Sequence, residues 1–345
     1  MAPKLTQTLK RALLFPFTAI YWAVIRLRHF LYDSNVLQSS MAVLPTLVLG
    51  NIHAGGTGKT PHASYFLQLL SKKLGGPQYV ALLSRGFMRT TKGFHWVSVD
   101  GEWSQFGDEP MLLKDLNPNN PIAVCENRLK GIERIKSERP EVQVVVLDDG
   151  LQHRSLKPDG AIVILDSDRP IKEEALFPAG NLRDLKSRLK NFDAFIISRS
   201  KENAQKEINA QGIDLDEKSV FTSYMEDESL NIQGKPRILA VSGIAEPERF
   251  MDNLTKNWSV VRRESYSDHY TYTQKDVSGW LASIRNEKLD GIVTTSKDAV
   301  RIRPLIENQP EIKLFSICIG VKWSNERAVE IWVDEWLEST IFAKH

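Results

Sequence analysis

The chain has 345 residues, 42% of them hydrophobic and 26% charged, which gives room for two ordinary domains and excludes a wholly disordered polypeptide. Its 45 Lys and Arg stand against 43 Asp and Glu, so a net charge of +2 gives no electrostatic reason to expect a nucleic-acid partner. Cys125 and Cys318, the two cysteines, form neither a disulfide framework nor a paired metal-ligand spacing, and a reducing cytosol suits them best.

The chain opens with an apolar run from Ala12 to Ile25, set among Lys4, Lys10, Arg11, Arg26 and Arg28 with Asp33 as the single acid. Bases follow the run at once, without a small-residue cleavage site, which argues against a secretory signal. The run is also shorter than the roughly 20 apolar residues of a spanning helix, and Pro16 interrupts it. Phe15, Phe17, Tyr21 and Trp22 beside these bases suit the headgroup boundary of a membrane, so residues 1–35 read as an amphipathic helix lying on a membrane surface. The competing reading docks the same helix on the protein's own core.

Beyond it, short apolar β-rich runs alternate with helical stretches, the pattern of a mostly parallel α/β sheet covered by helices. Strands are expected at Thr46–Gly50, Tyr79–Ser84, Pro121–Cys125, Val142–Leu147, Ala161–Leu165 and Ala194–Ser198. The chain turns polar from Lys201 to about Lys235, which predicts a linker at 206–236 between a larger domain at 36–205 and a smaller α/β domain at 237–345. In that second part strands are expected at Ile238–Ser242, Ser259–Glu264, Gly291–Thr295 and Leu314–Ile319, and Thr273 with Asp276 forms a capping box.

Between the first strand and the helical stretch Ser64–Leu74 stands His53-Ala54-Gly55-Gly56-Thr57-Gly58-Lys59-Thr60. Glycines there let backbone N–H groups cradle phosphate, Lys59 neutralises the β/γ region and the Thr60 hydroxyl can ligate Mg2+, so these eight residues are the ATP-binding candidates of a P-loop NTPase-like fold. The first consensus glycine is replaced by His53. The apolar run ending at Leu147 leads into Asp148-Asp149-Gly150, a strand-end acidic pair suited to magnesium.

These motifs, with Ser84-Arg85-Gly86-Phe87, Gly107-Asp108-Glu109-Pro110, Gln152-His153-Arg154 after the acidic pair, and Pro178 to Asp184, resemble the tetraacyldisaccharide 4'-kinase family. The resemblance continues in order through Ser242 to Phe250, Asp268-His269 and Thr294 to Ala299, while Met88, Leu151, Asn181, Asp184 and Ser296 stand where other residues are expected. It implies an ATP-using enzyme that phosphorylates the 4' hydroxyl of a lipid disaccharide 1-phosphate in lipid A biosynthesis. The implied setting is peripheral, on the cytoplasmic face of the bacterial inner membrane. It also implies catalysis in a cleft between the two domains, with Asp108 as base and His269 as its support beside Lys59. Magnesium ligands are then expected among Thr60, Asp148, Asp149 and Glu109. Arg85, Arg128 and Arg183 are candidates to grip substrate phosphate or sugar, and Gln152 and His153 to face the sugar. A membrane-associated P-loop switch or assembly ATPase is the alternative, although it would have no use for Asp108 and Asp268-His269.

Overall fold

The computed structural model describes residues 2–215, 218–227 and 234–341; the side chains of 2–10 and of Lys256 lie outside the description, and with them those of Lys4 and Lys10. The chain opens on α1 (Ala2–Asp33), β1 (Ser40–Met41), β2 (Thr46–Gly50), α2 (Lys59–Lys73), β3 (Val80–Ser84) and β4 (His95–Trp96). There follow α3 (Trp103–Phe106), α4 (Asp108–Leu116), β5 (Ile122–Val124), α5 (Arg128–Glu138), β6 (Val144–Asp148) and β7 (Leu156–Lys157). Next come β8 (Gly160–Asp166), β9 (Ala194–Ser198), α6 (Ala204–Gln211), β10 (Ser219–Asp227), β11 (Arg237–Ser242), α7 (Pro247–Asn257) and β12 (Ser259–Ser265). The chain continues through α8 (Gln274–Glu287), β13 (Gly291–Thr295), α9 (Ser296–Ile306), β14 (Leu314–Ile317), β15 (Ile319–Trp323) and α10 (Glu326–Thr340).

Nine strands form the large sheet in the order β15-β10-β9-β8-β2-β6-β3-β5-β4, parallel except at its two edges. Its central strands are buried along their whole length, as parallel strands covered on both faces must be. Alternate side chains go to opposite layers. Leu47, Leu49, Leu82, Val144 and Val146 meet α2, α4 and α10 on one side. Val48, Ala81, Leu83, Val145 and Leu147 meet α5 on the other. The smaller sheet, β12-β11-β13-β14, is parallel throughout, with the Trp280 cluster on one face and the Trp258 cluster on the other. The Thr273–Asp276 capping box opens α8 as expected.

The chain does not divide as the polar stretch suggested. Within residues 206–236, β10 pairs with β9 inside the large sheet; residues 216, 217 and 228–233 of that stretch lie outside the description. The apolar run expected as one strand from Leu314 to Ile319 is two strands. β14 belongs to the small sheet, and after Cys318 the chain changes sheets so that β15 pairs antiparallel with β10. α10 then lays Val329, Val333, Trp336 and Leu337 against the large sheet, beside the helix that follows the P-loop.

α1 continues through Pro16 for 32 residues. Arg11, Leu14, Thr18, Tyr21, Ile25, His29 and Tyr32, spaced three or four residues apart, make its covered stripe. His29 is buried and its Nε2 lies 2.7 Å from Asp184 Oδ1, while Arg154 donates to the His29 carbonyl and pairs with Asp33. Tyr21 donates to the Arg183 carbonyl. Asp184, which departs from the family pattern, is therefore the anchor of this helix. The opposite side exposes Leu13, Phe15, Phe17, Ile20, Val24, Leu27 and Phe30. Both readings of the segment thus describe one helix, docked along a stripe and apolar on its outer face, and no helix among the described residues is long and apolar enough to cross a membrane.

His62, on the first turns of α2, is fully buried between the Gly58 carbonyl and the Ser223 hydroxyl, and burial draws its pKa down to about 4. The unfolded chain binds a proton there near pH 6.5 and the folded chain does not, so this site's stability is present at neutral pH and is lost as pH falls from about 6.5 toward 4. Urea melts at pH 7 and pH 5 are expected to show His62→Asn losing about 2 kcal/mol less than the parent protein over that interval. Equal losses in both proteins would show that His62 does not resist protonation.

Candidate functional site

The nucleotide loop begins where β2 leaves the sheet. Gly58 stands at φ 83° as N-cap of α2, a backbone angle that favours glycine, with the tip of Met225 lying over it. Asn51 donates to the Thr57 hydroxyl across the loop, and Ser198 donates to the Thr57 carbonyl from β9. Ala54, Gly55 and Gly56 are left exposed at the tip, where Arg199 donates to the Gly56 carbonyl. Lys59 and Thr60 occupy the first turn of α2, where free N–H groups and the helix dipole favour an anion. His53, at the place of the consensus glycine, points inward: it is fully buried, neither ring nitrogen has a partner, and burial and Arg169 draw its pKa below the ordinary value. It therefore shapes the loop's base and is not at its open tip.

β6 delivers the acidic pair, and the two carboxylates differ sharply. Asp149 is 3.8 Å from Lys59 Nζ and accepts both arms of the Arg183 guanidinium. Burial works against its charge, but Lys59, Arg183 and Arg128 hold its carboxyl below the ordinary range. Asp148 is 1% exposed and neither of its oxygens has a partner. Burial pushes its carboxyl up to about 7, with Glu109 and Asp149 adding to the rise and Lys59 and Arg128 opposing it. A buried acid with both oxygens unsatisfied is costly, and the burial that leaves it so also favours its protonated form.

Of the residues proposed for substrate, Arg85, Arg128 and His153 share one electrostatic neighbourhood beside Asp148. Arg85 is exposed and Arg128 is buried at the start of α5, donating to the Cys125 and Glu126 carbonyls. His153 is drawn down to about 4 by burial and by Arg128, Arg28 and Arg85, so it is neutral at pH 7, and its Nε2 lies 3.0 Å from the Ser155 hydroxyl. Arg183 and Gln152 are placed differently from the expectation. Arg183 spends its donors on Asp149 and Asn51, and the Gln152 amide donates to the Asn51 carbonyl, so both brace the loop against the acidic strand end.

The two sheets meet where α4 and α9 lie side by side. Gly107, at φ 94°, turns the chain so that Asp108 begins α4. Val300 of α9 joins the cluster that holds Met111 and Leu113 of α4, and Arg303 pairs with Asp115 at the far end. At the near end His269 Nδ1 lies 3.0 Å from Asp108 Oδ2, across 161 residues of sequence. Burial disfavours the Asp108 anion, but the His269 hydrogen bond, Lys297 and Arg301 hold its carboxyl below the ordinary range. Glu109, the next residue, reaches the field of Asp148, which links this pair to the nucleotide loop. Behind His269, buried Asp298 receives the Gly243 N–H, the Tyr272 hydroxyl and Arg301, and the Gly243 carbonyl receives the His269 N–H. Lys297 was legible only as part of a motif; its position 3.1 Å from His269 Nε2 needed the fold.

Comparison with known proteins agrees with this geometry. Residues 10–338 match the family described as Tetraacyldisaccharide-1-P 4'-kinase. A tetraacyldisaccharide 4'-kinase of Flavobacterium psychrophilum is 31% identical over 348 residues, covering 96% of this chain and 98% of its own. One of Porphyromonas gingivalis is 33% identical, covering 87% of each. The crystal structure of the "apo" form of LpxK from Aquifex aeolicus in complex with ATP superposes with a TM-score of 0.76 at 28% identity, over 94% of this chain and 99% of that one. The continuous match, at these identities and over nearly the whole of both partners, places the chain in the tetraacyldisaccharide-1-P 4'-kinase family.

Proposed function

We propose that Asp108 is the general base, oriented by His269, in the reaction of this family, transfer of the ATP γ-phosphoryl group to the 4' hydroxyl of a tetraacyldisaccharide 1-phosphate. The observation that carries the assignment is the 3.0 Å contact between Asp108, the first residue of α4, and His269, in the loop between β12 and α8. Asp108 is kept ionised by its neighbours and so can accept the hydroxyl proton. That oxygen bonds the γ-phosphorus while the β–γ bridging bond breaks, and its electron pair leaves with ADP. His269 Nε2 is already engaged by Lys297, which favours the carboxylate over the imidazole as proton acceptor. A switch or assembly ATPase would gain nothing from this contact.

Lys59 and the N–H groups of the loop from Ala54 to Thr60 are the groups that would hold the ATP phosphates. Magnesium fits the strand end because both Asp148 oxygens are buried without partners. Asp148, Thr60 and Glu109 would hold it with Asp149 adjacent, and the ion would neutralise charge developing on the phosphoryl oxygens. No three acidic, imidazole or thiol groups converge on one point among the described residues. Magnesium commonly takes only one or two carboxylates, with phosphate and water completing its shell. Arg85, Arg128 and His153 form the wall suited to the anionic sugar headgroup.

The outer face of α1, with Phe15, Phe17 and Phe30 exposed and Arg26 stacked 5.3 Å from Trp22, suits peripheral attachment to the cytoplasmic face of the inner membrane. Attachment there would present the site to its lipid disaccharide. The near-neutral charge of the chain favours no nucleic-acid partner.

Asp148→Asn is expected to lower turnover on the order of a hundredfold and weaken its dependence on magnesium. The same change should raise the melting temperature at pH 8, because a carboxyl pushed up to about 7 by burial loses stability as pH rises through that range. A variant as active as the parent at every magnesium concentration would remove Asp148 from the site. Asp108→Ala should lose about 10² to 10⁴-fold in single-turnover rate with nucleotide binding intact, and adding His269→Ala should cost little more. Losses that simply multiply would show that the two side chains act separately. Phe17→Asp combined with Leu27→Asp should abolish flotation with anionic phospholipid vesicles while leaving nucleotide binding unchanged; undiminished flotation would move the membrane contact elsewhere.

A further inference from the structure

We propose that Lys297 is a positioning residue for this reaction: its ammonium donates to Nε2 of His269, which fixes the imidazole proton on Nδ1 and directs it at Asp108. The inference rests on the reading of Asp108 as the base and adds to it the group that sets the imidazole's tautomer.

The hydrogen-bond inventory allows little choice. A protonated lysine has donors and no acceptor, so the ring nitrogen 3.1 Å from Lys297 Nζ must offer a lone pair. The proton of a neutral imidazole then sits on the other nitrogen, Nδ1, which is 3.0 Å from Asp108 Oδ2 and donates to it. Asp108 keeps its second oxygen toward its own helix, where the Glu109 N–H donates to Oδ1.

Two departures from local rules converge on this contact. Lys297 is the second residue of α9, in the turn where the positive end of the helix dipole disfavours a cation. His269 has φ 58°, a conformation a β-carbon makes costly. Each is held by other contacts. The Asp298 network fixes the loop that carries His269, and the side-by-side packing of α4 and α9 sets Lys297 at the level of Asp108. Lys297 is also 3.9 Å from Asp108 and 3.9 Å from Asp268, and these carboxylates offset the unfavourable dipole. Phe87 closes the imidazole from the remaining side with an edge contact at 5.8 Å. The groups around the ring are therefore Asp108 and Phe87 from one domain and Asp268 and Lys297 from the other, with Arg301 behind. Lys297 is the one donor among them that reaches Nε2 in the described structure.

The test is ¹⁵N NMR of the full chain labelled at its histidine rings, with the His269 signals identified by their loss in His269→Asn. In the parent protein at pH 7.5, Nδ1 is expected to be protonated and Nε2 to show an unprotonated acceptor shift. Lys297→Met should abolish that pattern and lower kcat on the order of tenfold or more, with KM for the lipid nearly unchanged; Lys297→Arg, which keeps a donor, should retain the pattern and recover most of the rate. A Lys297→Met protein whose His269 stays protonated on Nδ1 alone would overturn the proposal, as would a loss confined to KM, which would make Lys297 a substrate contact. If Lys297→Met does not fold, the pattern in Lys297→Arg decides, and its loss overturns the proposal. Normal turnover by Asp108→Ala would instead defeat the base assignment, whatever the tautomer of His269.

Discussion

A carboxylate at the start of α4 and an imidazole in the loop between β12 and α8, 3.0 Å apart, set the constraint that the rest of this molecule serves. Asp108 is 5% exposed, and a buried anion is tolerable only when donors surround it. Oδ1 accepts from the Glu109 N–H of its own helix, but His269 and Lys297, which face Oδ2, come from the other domain, so that oxygen is met only when α4 and α9 are in contact. The Arg303–Asp115 pair and Val300 hold the helices together along their length, and the Asp298 network keeps the His269 loop in its unusual conformation. Assembly of the Asp108–His269 pair and packing of the domain interface are therefore one event.

The acidic end of β6 shows the opposite solution. Asp149 is satisfied within the protein, by Lys59 and by the fork of Arg183, whereas Asp148 is buried with nothing to bond. Asp148 is the last residue of β6, whereas Asp149 lies beyond the strand at φ 54°, and this turn carries the second carboxylate to Lys59 and Arg183 while the first stays inside. The cost of leaving Asp148 unsatisfied is the kind of local instability that functional sites retain.

Much of this was legible because it is local. The P-loop, the capping box of α8 and the apolar strands of the large sheet are each written in a few consecutive residues. What escaped is carried by long-range contacts. β10 is polar enough to read as linker because it lies near the sheet's edge, between β9 and the antiparallel β15, and its strand character is set by those neighbours. The apolar run from Leu314 to Ile319 hides a change of sheet at Cys318 that no periodicity marks. Arg183 and Gln152 carry the donors a sugar phosphate would need, yet the fold points them at Asn51. Asp184 looked like an anomaly until His29, 155 residues earlier, supplied its partner.

The return of α10 to the large sheet has a consequence for the order in which a ribosome can finish this protein. Val329, Val333, Trp336 and Leu337 complete the layer that also covers the P-loop helix, and β15 completes the edge beside β10. Each lies far along the chain from the strands it joins. The smaller sheet, by contrast, is built from β11 to β14 and can close as soon as those residues have emerged. A nascent chain that has reached residue 318 thus holds a finished small domain and a nucleotide-binding domain still open along one face, with its apolar surface exposed to whatever protects unfinished proteins in the cell.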